Sequence, residues 1–141
     1  MNVRQVCNRE PATVCVHATL SEAAQLLANS YSDAVVAIAS PAQRPTAIGV
    51  ITYREIVNAI ASGSVLERTR VLDVLDRNPL VIHEEEDIET AILKLRLRGA
   101  KHAPVIGAGG TLLGAISMDR LLACRCVIPL AHREAAIVSS T

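Results

Sequence analysis

The sequence has almost no aromatic residues. Its 141 residues include no Trp and no Phe, and its two tyrosines are Tyr31 and Tyr53. Proteins that bind single-stranded nucleic acid stack the bases on aromatic side chains, and nucleic-acid binders in general carry a basic face. Here 14 Lys and Arg balance 14 Asp and Glu, so the formal net charge is zero. The composition therefore argues against nucleic acid as a partner.

Long apolar runs are also missing. No stretch reaches the roughly 20 apolar residues that a membrane helix needs, and residues 1–10 lack the apolar core of a signal peptide. We therefore expect a cytoplasmic protein with no membrane partner and with reduced cysteines. The spacing of the last two cysteines is CxC rather than CxxC, which favours structural thiols over a metal site. The cysteines are Cys7, Cys15, Cys124 and Cys126.

The sequence contains an internal repeat. Half of the residues are apolar and almost all of these are aliphatic, which suits helices packed on small sheets. The i, i+3, i+4, i+7 spacing of an amphipathic helix occurs twice, 68 residues apart. The two sets are Leu20, Ala23, Ala24, Leu27 and Ile88, Ala91, Ile92, Leu95.

Each of these helices is followed by two predicted strands and a second helix. The apolar stretch 35–38 corresponds to 103–106, and a glycine-led strand follows in each copy, at 48–52 and 113–117. The turn 107–110 between the second pair of strands is rich in glycine, as expected of a hairpin. With a short strand before each first helix, the chain is predicted to be an α/β (α+β) protein made of two βαββα repeats.

The repeat sets the expected boundaries. Repeat 1 is expected at 3–62 and repeat 2 at 71–124, joined by a linker at 63–70. The tail, 125–141, belongs to neither copy, and a short helix is expected within it at 131–138. Each copy is expected to open with a short lead-in helix, at 3–7 and 71–75.

Local signals mark where the first helix of each copy begins. Thr19 and Glu22 form the pattern of a capping box, in which the hydroxyl accepts a free backbone N–H and the carboxylate reaches back. In the second copy Asp87 can cap the equivalent helix. The acidic run 84–87 then lies where the helix dipole favours negative charge, so we interpret it as a solvated helix start rather than a metal site.

The ends of the glycine-led strands resemble a known family. The pattern is Gly-Val-Ile-Thr-Tyr-Arg-Glu-Ile at 49–56 and Gly-Ala-Ile-Ser-Met-Asp-Arg-Leu at 114–121, with Lys-His-Ala-Pro-Val at 101–105. In their order, over residues 3–124, these motifs resemble the CBS (cystathionine β-synthase) domain pair, or Bateman module. The resemblance implies a pseudo-twofold pair with two clefts that hold AMP, ADP or ATP, and less often S-adenosylmethionine or NAD. It also implies a homodimer formed through CBS–CBS contacts.

The same resemblance implies a regulatory role rather than an enzyme. In signal transduction of this kind, a bound ligand changes the shape of the tandem repeat and an effector protein, here unknown, responds. No nucleophile elbow, zinc motif or P-loop occurs in the sequence, so we expect no catalytic residues, no metal and no required cofactor. The alternative is a ligand-free oligomerisation or docking module with degenerate clefts.

Six residues are candidates for nucleotide contact. Thr52 and Ser117 precede predicted helices, where free N–H groups attract phosphate. The resemblance implies a ribose acceptor three residues later, but this chain has Glu55 in one copy and Arg120, which has no acceptor, in the other. Asp119 precedes the expected acceptor position by one residue, so on a helix its side chain would project about 100° away from the direction of residue 120. The six candidates are Thr52, Glu55, Lys101, His102, Ser117 and Asp119.

The candidates are not distributed symmetrically. Lys101 and His102 match the basic position of the family, where a positive side chain meets phosphate, but residue 33 in the first copy is an aspartate. A nucleotide that used both the basic pair and Glu55 would span the two halves, so we expect at most one good site. The spacing of Thr52 and Glu55 is also that of a capping box, which alone would explain both residues.

Overall fold

The computed structural model describes residues 1–30, 33–39 and 45–126, with the backbone alone for Cys126. The helix expected at 131–138 and most of the tail lie outside these residues. The strands are β1 (Thr13–Cys15), β2 (Ala34–Ile38), β3 (Ala47–Thr52), β4 (Ile82–His83), β5 (His102–Ile106) and β6 (Leu112–Ser117). The helices are α1 (Leu20–Asn29), α2 (Tyr53–Ala61), α3 (Val71–Val74), α4 (Ile88–Arg98) and α5 (Met118–Cys126).

The chain forms two three-stranded sheets of the same design. In each sheet the short first strand runs parallel to the central strand, which pairs antiparallel with the third, giving the orders β1-β2-β3 and β4-β5-β6. The register shifts at equivalent places, between Ala37 and Ile38 in one sheet and between Val105 and Ile106 in the other. The predicted mixed α/β architecture of two repeats is confirmed.

The helices begin where the capping signals predicted. The Thr19 hydroxyl accepts a hydrogen bond from the backbone N–H of Glu22 at 3.2 Å, and the Glu22 carboxylate accepts one from the backbone N–H of Thr19. In the second repeat the Asp87 carboxylate accepts a hydrogen bond from the backbone N–H of Thr90 at 2.7 Å. The helix α4 ends at Arg98 and is followed by Gly99, whose φ of 61° is the left-handed conformation that glycine adopts most readily. Within the described ranges no helix has the length and apolar character needed to cross a membrane.

Each lead-in segment packs on the other repeat. A 3₁₀ turn at Val3–Gln5 follows Asn2, and the amides of Val3 and Arg4 donate to the carbonyls of Glu86 and Glu84 in the second repeat. In the same way α3 hydrogen-bonds to the first repeat, where Val71 and Leu72 donate to Ala18 and Val16. Val3 and Val71 are fully buried in the hydrophobic clusters of the repeats that receive them. The two halves are therefore joined by an exchange of their first turns.

The two sheets also contact each other directly. The strand β5 contacts β2 and β3 of the other sheet, and near the contact an isolated bridge joins Thr46 to Thr111, which occupy equivalent positions in the two copies. A separate apolar cluster of Val36, Ile38, Ala47 and Ile106 is buried between the sheets. Because the strand ends and helix starts flank this contact, it leaves clefts between the halves.

Candidate functional site

The larger opening, here called the first cleft, lies between the start of α2 and the turn that leads into β5. It comprises two adjoining cavities of about 440 and 420 Å³. One is bounded by the end of β3 and the residues before β5, and the other extends towards the segment after α3. Residues that line both cavities are Val50, Arg54, Glu55, Gly99, Ala100 and His102. The cleft is thus built from both repeats.

Four of the six candidate residues line the first cleft together. Thr52 and Glu55 come from the first repeat, at the start of α2, and Lys101 and His102 come from the second, at the entry to β5. The turn that carries Lys101 is held in place because its carbonyl accepts the amide of Met118 at 2.8 Å. A carboxylate and a basic pair on different repeats therefore face one cavity.

The capping box at the start of α2 is formed. The Glu55 carboxylate, through Oε2, accepts both the amide of Thr52, at 2.8 Å, and the Thr52 hydroxyl. The Thr52 hydroxyl in turn accepts the amide of Arg54 at 3.3 Å. One oxygen of Glu55 is thus used to cap its own helix, while no hydrogen bond to Oε1 is found among the described residues.

Arg54 also lies in the first cleft, although it was not among the candidates predicted from the sequence. This exposed side chain lines both cavities of the first cleft. It lies in the first turn of α2, where the positive end of the helix dipole disfavours a cation. Because a cation at this position does not stabilise the helix, Arg54 could have been noted in the sequence as a candidate for ligand binding. Arg54 adds a positive charge to the cleft that already contains Lys101 and Arg98, of which Arg98 is paired with Asp76.

His102 lies at the boundary of the clefts and lines all three of the cavities mentioned here. Its side chain is half-buried, and burial lowers the pKa of the imidazole below its usual value. The nearby carboxylates of Asp33, Asp119 and Glu55 oppose that shift, while Lys101 adds to it. At neutral pH the imidazole is accordingly neutral in the ligand-free protein.

The second cleft is the pseudo-symmetric counterpart of the first. It has a volume of about 440 Å³ and contains the other two candidates, Ser117 and Asp119, together with Asp33. Ser117 accepts the amide of Arg120 at 3.1 Å and so caps α5. Arg120, which takes the place of Glu55, donates from Nε to the carbonyl of Val6. Asp33 and Asp119 occupy the positions that Lys101 and Arg54 occupy in the other copy, although Asp33 lines the first cleft as well.

The second cleft is also closed on one side. Asn8, in the N-terminal lead-in, exchanges two backbone hydrogen bonds of 2.9 Å with Ala115. The equivalent residues of the first cleft, Asp76 and Val50, instead line the open 420 Å³ cavity. The space that the lead-in segment covers in the second cleft is therefore open in the first.

A model of the CBS domain matches residues 3–62 and 71–125. The chain belongs to the CBS domain family. No curated protein sequence matches the chain.

Three solved structures of CBS proteins resemble this chain over most of its length. The CBS domain pair of protein MJ0100, in complex with 5′-methylthioadenosine and S-adenosyl-L-methionine, is 17% identical with a TM-score of 0.77, covering 89% of this chain and 96% of that one. PAE2072 from Pyrobaculum aerophilum, complexed with AMP, is 24% identical with a TM-score of 0.76, covering 97% and 99%. The hexameric CBS-CP12 protein from bloom-forming cyanobacteria is 23% identical with a TM-score of 0.74, covering 98% and 85%. At these identities the likeness shows the fold.

The thiols of this CBS pair are free where the structure describes them. Cys7 is buried, and Cys15 and Cys124 are half-buried. Burial raises the pKa of the Cys7 thiol, which favours its unreactive protonated form. Among the residues described, no group of three His, Cys, Asp or Glu side chains could hold a metal ion.

Proposed function

We propose that this CBS pair is a regulatory module that binds an adenine nucleotide such as AMP, ADP or ATP in the first cleft. The observation that carries the proposal is the meeting of Lys101, Glu55 and the start of α2 around one cavity of about 440 Å³. These groups come from different repeats, so a ligand that contacts all of them bridges the two halves. A bridging ligand favours one arrangement of the halves, and an effector protein would respond to that arrangement.

The phosphate would lie near the start of α2. Backbone N–H groups and the dipole favour an anion there, and the cations of Lys101 and Arg54 line the same cavity. A charged donor makes a stronger hydrogen bond to phosphate than a neutral one. The phosphate is thus expected to draw on both repeats. The Thr52 hydroxyl has one proton and donates it to Glu55, so it could donate to the phosphate only by turning away from that carboxylate.

The ribose and the adenine would extend away from the phosphate. The Oε1 oxygen of Glu55 can accept a ribose hydroxyl while Oε2 continues to cap α2. The adjoining 420 Å³ cavity offers apolar contacts for a base from Val50, Leu75 and Leu80. The complexes of MJ0100 and PAE2072 support adenosine-containing compounds as the ligand class, with S-adenosylmethionine and NAD as less favoured ligands.

Thermal unfolding with AMP, ADP, ATP, NAD and S-adenosylmethionine tests the proposal. A ligand present at about 100 times its dissociation constant adds about 2.7 kcal/mol of stability, so the midpoint temperature of unfolding should rise with at least one adenine nucleotide.

Lys101→Gln should weaken AMP binding about tenfold because it removes a charged donor. Glu55→Gln keeps an acceptor for the capping box and should weaken AMP about fivefold.

Arg68→Gln is the matched control for Lys101→Gln. Arg68 is exposed and lines none of the cavities described above, yet its loss changes the net charge by the same amount. It should leave AMP affinity unchanged. If none of the five compounds stabilises the protein at millimolar concentration, the nucleotide function is wrong and the docking function becomes the better account.

The second candidate function, oligomerisation or docking, is favoured by an exposed apolar stripe on α2. Tyr53, Val57 and Ile60 follow i, i+4, i+7 spacing and are 49%, 59% and 57% exposed. Contiguous exposed apolar side chains often mark a protein–protein contact. The occupant we propose is a second copy of this chain, forming a homodimer; the hexameric CBS-CP12 relative supports self-association.

Val57→Glu should dissociate that homodimer. Burying a carboxylate in an apolar interface costs about 3 kcal/mol, so the dissociation constant should rise about 100-fold. Light scattering coupled to size exclusion measures the change in mass. Leu72→Glu is the control, because Leu72 is similarly exposed but lies on α3. An unchanged mass in the Val57 variant would show that the stripe is not the interface.

A further inference from the structure

His102 is placed where a single charge can affect both clefts. Its side chain forms part of the wall of the first cleft on one side and of the second cleft on the other. Asp33 also lines both clefts. A proton bound or released by His102 therefore changes the potential in both openings at once.

The charges around His102 come from every element that packs near it. From the first cleft it faces Glu55 and Arg54 of α2 and its neighbour Lys101. From the second cleft it faces Asp119 and Arg120 of α5. Asp33, before β2, lies between the two sides, and Asp76 and Arg98, further along the first cleft, are paired with each other at 3.3 Å. The carboxylates favour the imidazolium, whereas burial and the neighbouring cations oppose it.

We propose that His102 makes the affinity of the first cleft for phosphate-bearing ligands depend on pH, with tighter binding in weak acid, and that Asp119 in the second cleft helps to set the pH of the change. The proposal rests on nucleotide binding in the first cleft. It adds that this binding is adjusted by a proton and by a residue of the opposite cleft.

The direction of the pH dependence follows from the coupling between ligand binding and protonation of His102. In the free protein burial keeps the pKa of His102 low, so the ring is neutral at neutral pH. A bound phosphate places negative charge beside the ring and raises that pKa. Between the free and bound pKa values, binding takes up a proton, and affinity increases as the pH falls through this interval. Each unit by which phosphate raises the pKa contributes about tenfold in affinity.

The test is calorimetric titration of AMP and of adenosine into the whole chain between about pH 5.5 and pH 8. The AMP phosphate itself titrates with a pKa near 6, so the informative quantity is the ratio of wild-type to His102→Gln affinity at each pH. For AMP this ratio should increase about three- to tenfold as the pH falls. For adenosine, which has no phosphate, the ratio should stay constant.

Asp119→Asn tests the contribution of the second cleft. Without that carboxylate the His102 imidazolium is less stable. When the AMP affinity of the Asp119 variant is divided by that of the same variant with His102→Gln and plotted against pH, the midpoint of the rise should therefore lie at lower pH than in the wild-type background. A midpoint that stays in place or moves up would overturn the role of Asp119. A ratio for AMP that does not change with pH, or an equal rise for adenosine, would overturn the role of His102 alone. No AMP binding at any pH would overturn the nucleotide function itself, together with its regulation.

Discussion

Replacing Gly114 with alanine is expected to destabilise the protein by about 3 kcal/mol, the cost of forcing an atom into packed backbone. A Cβ at this position would overlap the carbonyl oxygen of Asn8 and lie 3.1 Å from the Sγ of Cys7. The backbone of Asn8 is fixed by its two hydrogen bonds to Ala115, so it cannot move aside without losing them. Urea denaturation followed by circular dichroism measures the change in the free energy of unfolding.

Gly49 provides the matched control, because it occupies the position equivalent to Gly114 in the first repeat. An added Cβ there would lie 3.2 Å from Cδ2 of Leu75, the end of a flexible side chain. Gly49→Ala should therefore cost about 1 kcal/mol or less. Equal losses for the two variants would contradict the close approach of the lead-in segment to β6.

Placing an aspartate at Val3 is expected to cost about 4 kcal/mol and to loosen the second repeat rather than the first. Val3 is fully buried in the hydrophobic cluster that contains Ile82 and Leu95 of the second repeat, where a carboxylate would have no partner. Hydrogen exchange measures the effect residue by residue. Amides of β5 and α4 should lose more protection than those of β2 and α1.

Val71→Asp is the mirror experiment. Val71 is equally buried, but it belongs to the cluster around Leu20 and Ile51 of the first repeat. Its replacement should loosen β2 and α1 more than β5 and α4. If each variant instead loosened the repeat that contains the mutation in sequence, the exchange of lead-in segments would be wrong.

The elements of the fold could be predicted because their signals are local. Apolar residues at every third or fourth position identify α1 and α4, and Thr19 and Asp87 mark their first turns. The departures from symmetry were also legible: Arg120 stands where the first copy has Glu55, and Asp33 stands where the second has Lys101. These are properties of single positions compared between copies, and they require no tertiary contact.

The sequence allowed two roles for Thr52 and Glu55, capping of α2 or contact with a ligand, and could not decide between them. Thr52 and Glu55 have the spacing of a capping box, and the structure forms it. Whether Glu55 also contacts a ligand stays a prediction, as do the ligand contacts of the other five candidates. A side chain of this length can adopt either role, and the choice depends on what fills the cavity.

The sequence by itself determined the two βαββα repeats, their helix starts and the unequal charges of their two strand-to-helix junctions. Only the tertiary structure decided that each lead-in packs on the opposite repeat, that Arg54 lines the first cleft and that His102 borders both clefts. The physical reason is the separation along the chain of the residues that interact. Periodicity and capping act within a few residues, whereas the clefts are formed by groups that are distant in the chain and meet only when the sheets pack.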